Sequence, residues 1–160
     1  MTRPLEEDRR RLGPWPELRA EDLAAGAEAL AQTYASVDAV YLFGSRARGE
    51  VRPGSDLDLA VLLSAPPPDR VVLEAEMARF LEDRFGLPVD VLVLRPELSP
   101  GLLFDVFRVE RVLFARDAER AHRFACRARA EYRDLYPRLQ RQFEHLRRQL
   151  KEDADALNRS

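Results

Sequence analysis

The chain has 160 residues, 46% of them apolar, which suits one domain with a helical appendage and supplies enough apolar volume for a real core. A formal net charge of −2 excludes the strongly cationic surface of a general nucleic-acid or membrane-surface binder. A single cysteine, Cys126, excludes an internal disulfide and a cysteine metal cluster, and no apolar run approaches the ~20 residues of a membrane-spanning helix.

Charge is uneven along the chain. Residues 1–114 carry 14 basic and 20 acidic side chains, whereas residues 115–160 carry 12 and 8. Such a basic tail suits either a charged partner or a solvated helix face. Of the 26 basic residues 25 are arginine, and isoleucine is absent, which reads as the coding bias of a GC-rich genome.

Residues 1–16 form a charged lead-in ending at the proline-flanked Trp15. They lack the apolar stretch of a secretory signal, so a soluble, cytoplasmic protein is expected. Leu23, Ala27, Leu30, Ala31 and Tyr34 recur at helical spacing and predict an amphipathic helix over residues 18–34. A short apolar strand follows over residues 39–43 and ends at Gly44. The run "LDLAVLL" predicts a second strand over residues 57–63, closed by three prolines at 66–68. Asp69 is the expected N-cap of the next helix, which turns Leu73, Met77, Phe80 and Leu81 inward and stops at Gly86. "VDVLVL" predicts a third strand over residues 89–94. A short helix near residues 102–107 and an edge strand over 111–115 come next. The remainder is a long helical stretch from about residue 117 to 153. Its seam of Ala128, Tyr132, Leu135, Leu139, Phe143, Leu146 and Leu150 keeps phase across Pro137, where a kink or a split is expected. The architecture is α/β (α+β): a small sheet with helices packed on it and a helical C-terminal arm. Residues 17–115 form the main domain and 116–160 the extension.

Two aspartates interrupt the second strand region. Residues two apart in a strand face the same way, so Asp56 and Asp58 present paired carboxylates while Leu57, Leu59 and Val61 take the other side. Such a pair repels itself and loses hydration unless a cation sits between, and hard oxygen ligands suit Mg²⁺ or Mn²⁺. Asp56 alone would also serve as a turn residue after Gly54 and Ser55, but a carboxylate at Asp58 is costly without a partner. Asp90 is a third isolated carboxylate. If its strand lies beside the second, it joins the pair around two metal ions of the kind that clamp an in-line phosphoryl displacement. Upstream, "GSRARG" offers a phosphate cradle: Gly44 for close backbone approach, Ser45 at a helix opening, and Arg48 as a guanidinium donor. Arg46 is expected at the surface, His122 and His145 in solvent, and Cys126 in the core as a small apolar residue.

The stretch "GSRARGEVRPGSDLDLAV", Gly-Ser followed some ten residues later by Asp-x-Asp, resembles the signature of the polymerase-beta-like nucleotidyltransferases. It is closest to the minimal nucleotidyltransferases, over roughly residues 39–94 with Asp90 as the third acid. The resemblance implies a palm-type mixed sheet with flanking helices and an enzyme that moves a nucleoside monophosphate from a nucleotide, ATP foremost, to a hydroxyl. It implies metal ligation by Asp56, Asp58 and Asp90, with Asp90 helping to deprotonate the attacking hydroxyl. It implies phosphate binding by Gly44, Ser45 and Arg48. Small members with a C-terminal helical extension act as antitoxins that adenylylate a tyrosine of a HEPN-type ribonuclease toxin, and the arm from Ala128 to Leu150 suits such docking or a homodimer. Two alternatives stand beside it: an aminoglycoside-type nucleotidyltransferase, and an antitoxin that neutralises by binding alone.

Overall fold

The computed structural model describes residues 17–157 apart from positions 53 and 110. The expected lead-in over residues 1–16 lies outside the described residues. From the first described helix onward the chain runs α1 (Ala20–Thr33), β1 (Val37–Phe43), α2 (Gly44–Ala47), β2 (Leu57–Leu63) and α3 (Arg70–Phe85). It continues through β3 (Val89–Leu94), α4 (Pro100–Arg108), β4 (Arg111–Ala115) and α5 (Ala118–Leu157).

Local chemistry sets these boundaries. The Asp69 carboxylate accepts the Val72 N–H at 3.1 Å and opens α3, as expected, and Gly86 closes it in the left-handed conformation. Ser99 caps α4 through the Leu102 N–H at 3.3 Å. At the N-terminus of α1 the Asp22 carboxylate accepts the Arg19 N–H at 3.0 Å.

The four strands lie in the order β3-β2-β1-β4. β1 runs antiparallel to both β2 and β4, while β2 and β3 are parallel with α3 crossing between them. Alternation along the strands divides the core in two. Leu57, Leu59, Val61 and Leu63 of β2 pack with Leu30, Met77, Leu81 and Phe85 of α1 and α3. Ala60 and Leu62 take the other face, with Tyr41, Leu94, and Leu103 and Phe107 of α4. Ala121, Ala125 and Ala128 of α5 share that second cluster, so the first turns of the helix pack with the sheet. α1 and α3 approach so closely that a Cβ on Gly26 would stand 2.1 Å from the Phe85 ring. Glutamates from α3 satisfy the outer strand: Glu74 accepts the Val93 N–H at 2.9 Å and Glu82 the Val89 N–H at 3.2 Å.

Two expectations need correction. Pro137 does not split α5, which runs unbroken from Ala118 to Leu157. The proline is exposed, on a stretch of helix where solvent is at hand for the carbonyl whose helical partner it removes. Cys126 is exposed on α5 rather than buried, because the inward face there belongs to Ala121, Ala125 and Ala128. Its Sγ lies 3.4 Å from His122 Nε2, one turn away.

Candidate active site

Asp56 lies immediately before β2, Asp58 is the second residue of β2, and Asp90 is the second residue of β3. The Cα register sets Asp58 opposite Asp90 across the parallel ladder and opposite Phe43 across the antiparallel one. Register partners in adjacent strands point to the same side. Asp58 and Asp90 therefore stand in the same rows as Ala60, Leu62 and Leu94, on the α4 and α5 side of the sheet. They occupy the end of the strands where that packing stops. Asp56 and Asp58 are half-buried and Asp90 is exposed.

The electrostatics follow from this crowding. Partial burial pushes the Asp58 carboxyl up to about 6, and the neighbouring Asp90 and Asp56 carboxylates push in the same direction. Arg48 and Arg46 oppose the rise. Adjacent like charges in a half-dry setting raise the free energy of the site, and a divalent cation between them would lower it.

Gly44 sits against this group. Its φ is +71°, and a Cβ there would stand 2.1 Å from Asp58 Oδ2, so the bend at the end of β1 lies in direct contact with the carboxylate. No other residue fits without displacing Asp58. Ser45 follows, half-buried, and its carbonyl accepts the Glu50 N–H at 2.9 Å, closing the loop that returns towards β2. α2 is a single turn, so it contributes local N–H groups rather than a long helix dipole.

Arg46 differs from expectation. Arg46, expected at the surface, is half-buried and donates from Nη2 to the Ser55 carbonyl at 3.2 Å, tying α2 to the loop before Asp56. Its Nε is buried with no hydrogen-bond partner among the described residues. The sequence offers no signal for this, because a one-turn helix leaves undefined which of two arginines turns inward. Arg48 is also half-buried, and its Nε donates to Glu50 at 3.0 Å. The guanidinium thus sits beside the acidic cluster while engaged with a carboxylate of its own.

Gly44, Ser45, Asp56, Asp58 and Asp90 accordingly gather where β1 ends and β2 and β3 begin, with Arg46 and Arg48 on the flank. Among the described residues no three His, Cys, Asp or Glu side chains already stand in a metal-ligand array. The donor chemistry nonetheless fits a hard divalent cation, since the site is all carboxylate oxygen and its charge is under mutual repulsion. His122 and Cys126 of α5 are exposed, and neither enters the Asp58 electrostatics.

Residues 27–119 match the model of the polymerase beta nucleotidyltransferase family. Solved structures share the fold. One is a chain of a toxin–antitoxin complex with AMP-PNP, 24% identical, with 77% of this chain and 97% of that chain covered and a TM-score of 0.65. Another comes from a complex of a tri-AMPylated Shewanella oneidensis HEPN toxin with its MNT antitoxin, 22% identical, 80% and 98% covered, TM-score 0.63. A third is from the toxin–antitoxin pair MntA–HepT, 22% identical, 79% and 97% covered, TM-score 0.62. No curated protein matches in sequence.

Proposed function

The chain belongs to the polymerase beta nucleotidyltransferase family, and from that premise we propose that it transfers AMP from ATP to a tyrosine hydroxyl of a HEPN-type toxin partner, acting as that partner's antitoxin in the cytoplasm. Residues 17–115 are the nucleotidyltransferase domain in this reading, and 116–160 the extension that meets the partner. The similarity to chains of toxin–antitoxin complexes supports the partner class. The observation that carries the chemistry is the register pairing of Asp58 with Asp90 beside the Gly44 bend.

Asp56, Asp58 and Asp90 would hold Mg²⁺, or Mn²⁺, as a pair of ions. When bound, such ions neutralise the triphosphate and make a hydroxyl more acidic. Gly44 and Ser45 cradle the β- and γ-phosphates with backbone N–H groups and a hydroxyl. Arg48 exchanges Glu50 for a phosphate oxygen, and Arg46 holds the loop that presents Asp56. Asp90 is the exposed member of the trio, open to an acceptor, and takes the proton of the attacking hydroxyl. The acceptor oxygen bonds to the α-phosphorus as the bond to the bridging oxygen breaks, and pyrophosphate leaves.

The test uses radiolabelled ATP, Mg²⁺ and the product of the neighbouring gene. That protein is expected to acquire label with the parent chain and to acquire none with Asp58→Ala. Undiminished labelling by Asp58→Ala would overturn the site assignment. Full neutralisation of the partner without any labelling would favour inhibition by binding.

A further inference from the structure

We propose that a second site, at the far end of the sheet from the three aspartates, binds a phosphorylated nucleoside. A cavity of about 580 Å³ opens where β2 and β3 end, between the 64–67 loop, the loop after β3 and α5. Its volume lies within the roughly 300–1,000 Å³ of small-molecule sites. Leu62 in its wall is four residues beyond Asp58 on the same strand, roughly 13 Å at the usual rise, with Ala60 between. The cavity is therefore separate from the acidic cluster and owes nothing to it.

Five arginines line the cavity against one acid, Glu97. Two of the five hold the fold together. Arg120 pairs with Asp38 and donates to the Leu63 carbonyl, and Arg70 pairs with Glu74. The other three are available to a ligand. Among the described residues Arg123 and Arg127 pair with Glu119 and Glu131 of their own helix, at 3.1 and 3.3 Å, and these pairs are largely exposed. Exposed pairs of that kind contribute little and yield readily to a stronger anion. Arg95 lines the cavity as well, and its Nη1 has no hydrogen-bond partner among the described residues. A guanidinium donor left unmade is costly, and an anion that the side chain turns to meet removes that cost.

The charge pattern selects phosphate. Guanidinium forks bind its oxygens in pairs, and three of them lining one cavity, from α5 and the loop after β3, suit more than one phosphoryl group. The remaining wall is apolar, with Leu62, Leu94 and the ring of Phe124. Inorganic phosphate would leave that wall uncovered, whereas a base and ribose would cover it.

The test titrates the full chain with ADP by calorimetry in excess EDTA, which withholds divalent cations from the acidic cluster. Saturable ADP binding is expected, unchanged in Asp58→Ala. In Arg123→Ala/Arg127→Ala and in Arg95→Met, the affinity is expected to fall by about tenfold or more, the equivalent of losing one or two charge-assisted bonds. Arg95→Met should do so without lowering the melting temperature, which separates ligand binding from a structural role. Adenosine and pyrophosphate alone should each bind more weakly than ADP. No saturable binding in EDTA would overturn the proposal. So would binding lost in Asp58→Ala but intact in the arginine variants, and pyrophosphate binding as tightly as ADP would remove the nucleoside from it.

Discussion

Asp58 is where the physical tension of the molecule concentrates. Its carboxyl titrates at about 6 in the fold, against an ordinary value of about 3.9 in an unfolded chain. The folded state therefore holds this proton more tightly than the unfolded state. The fold gains stability as pH falls from above 6 towards 4, and loses it as pH rises through that window. In EDTA near pH 7, Asp58→Asn is expected to melt above the parent, the difference closing below about pH 4, where both side chains are neutral. Added Mg²⁺ should raise the melting temperature of the parent and leave that of Asp58→Asn nearly unchanged; an equal rise in both would argue against a cation at this position. Gly44 gives a second test. A methyl group there meets Asp58 Oδ2 at 2.1 Å on a backbone of φ +71°. Gly44→Ala should cost upwards of about 1 kcal/mol from the left-handed backbone alone. It should also remove nucleotidyl transfer, as measured by urea unfolding and by labelling.

The elements were largely legible in the sequence because their signals are local. Asp69 and Gly86 bracket α3, and β2 and β3 follow their apolar runs to the residue. The acidic trio was legible for the same reason, since carboxylates in apolar strands stand out against period-two patterning. What the sequence leaves open is long-range. Nothing local marks Asp38 as the buried partner of Arg120, 82 positions away, nor Arg116 as donating to the carbonyls of Val37 and Ala31. Those contacts join the start of α5 and the segment before it to β1 and α1. Arg46 and Cys126 escaped for a related reason: which face turns inward is decided by the neighbour, not by the residue. The Asp38–Arg120 pair carries a prediction of its own. Arg120→Met leaves the Asp38 carboxylate nearly buried without its cation and also removes the bond to the Leu63 carbonyl. Breaking a fully buried pair costs about 3–5 kcal/mol, and the half-exposed arginine here lowers that to about 2 kcal/mol. Chemical denaturation reads this directly, and Asp38→Asn/Arg120→Met should recover part of the loss.

At the scale of the whole molecule, α5 has two unlike halves. Ala121, Ala125 and Ala128 are buried on the sheet, and Phe104 stacks on Tyr132 with ring centroids 4.1 Å apart. Beyond Gln140 every described side chain is exposed, yet the apolar seam continues in phase through Phe143, Leu146 and Leu150, which are 60%, 50% and 60% exposed. A row of large apolar side chains in water gains nothing for this chain alone, and burying it against a second surface gains about 25 cal/mol per Å² covered. In the proposed function that surface belongs to the toxin partner. Replacing Phe143, Leu146 and Leu150 together by serine should therefore leave the melting temperature of the isolated chain within a few degrees, since exposed positions outside packed contacts each change stability by only about 0.5 kcal/mol. The same change should abolish co-purification with the partner and reduce its labelling, while the Asp58 environment stays intact. Light scattering on the isolated chain separates the competing use of the seam. A parent that is dimeric, and that falls to half its mass on substitution, would assign the arm to a second copy of this chain instead of to the toxin.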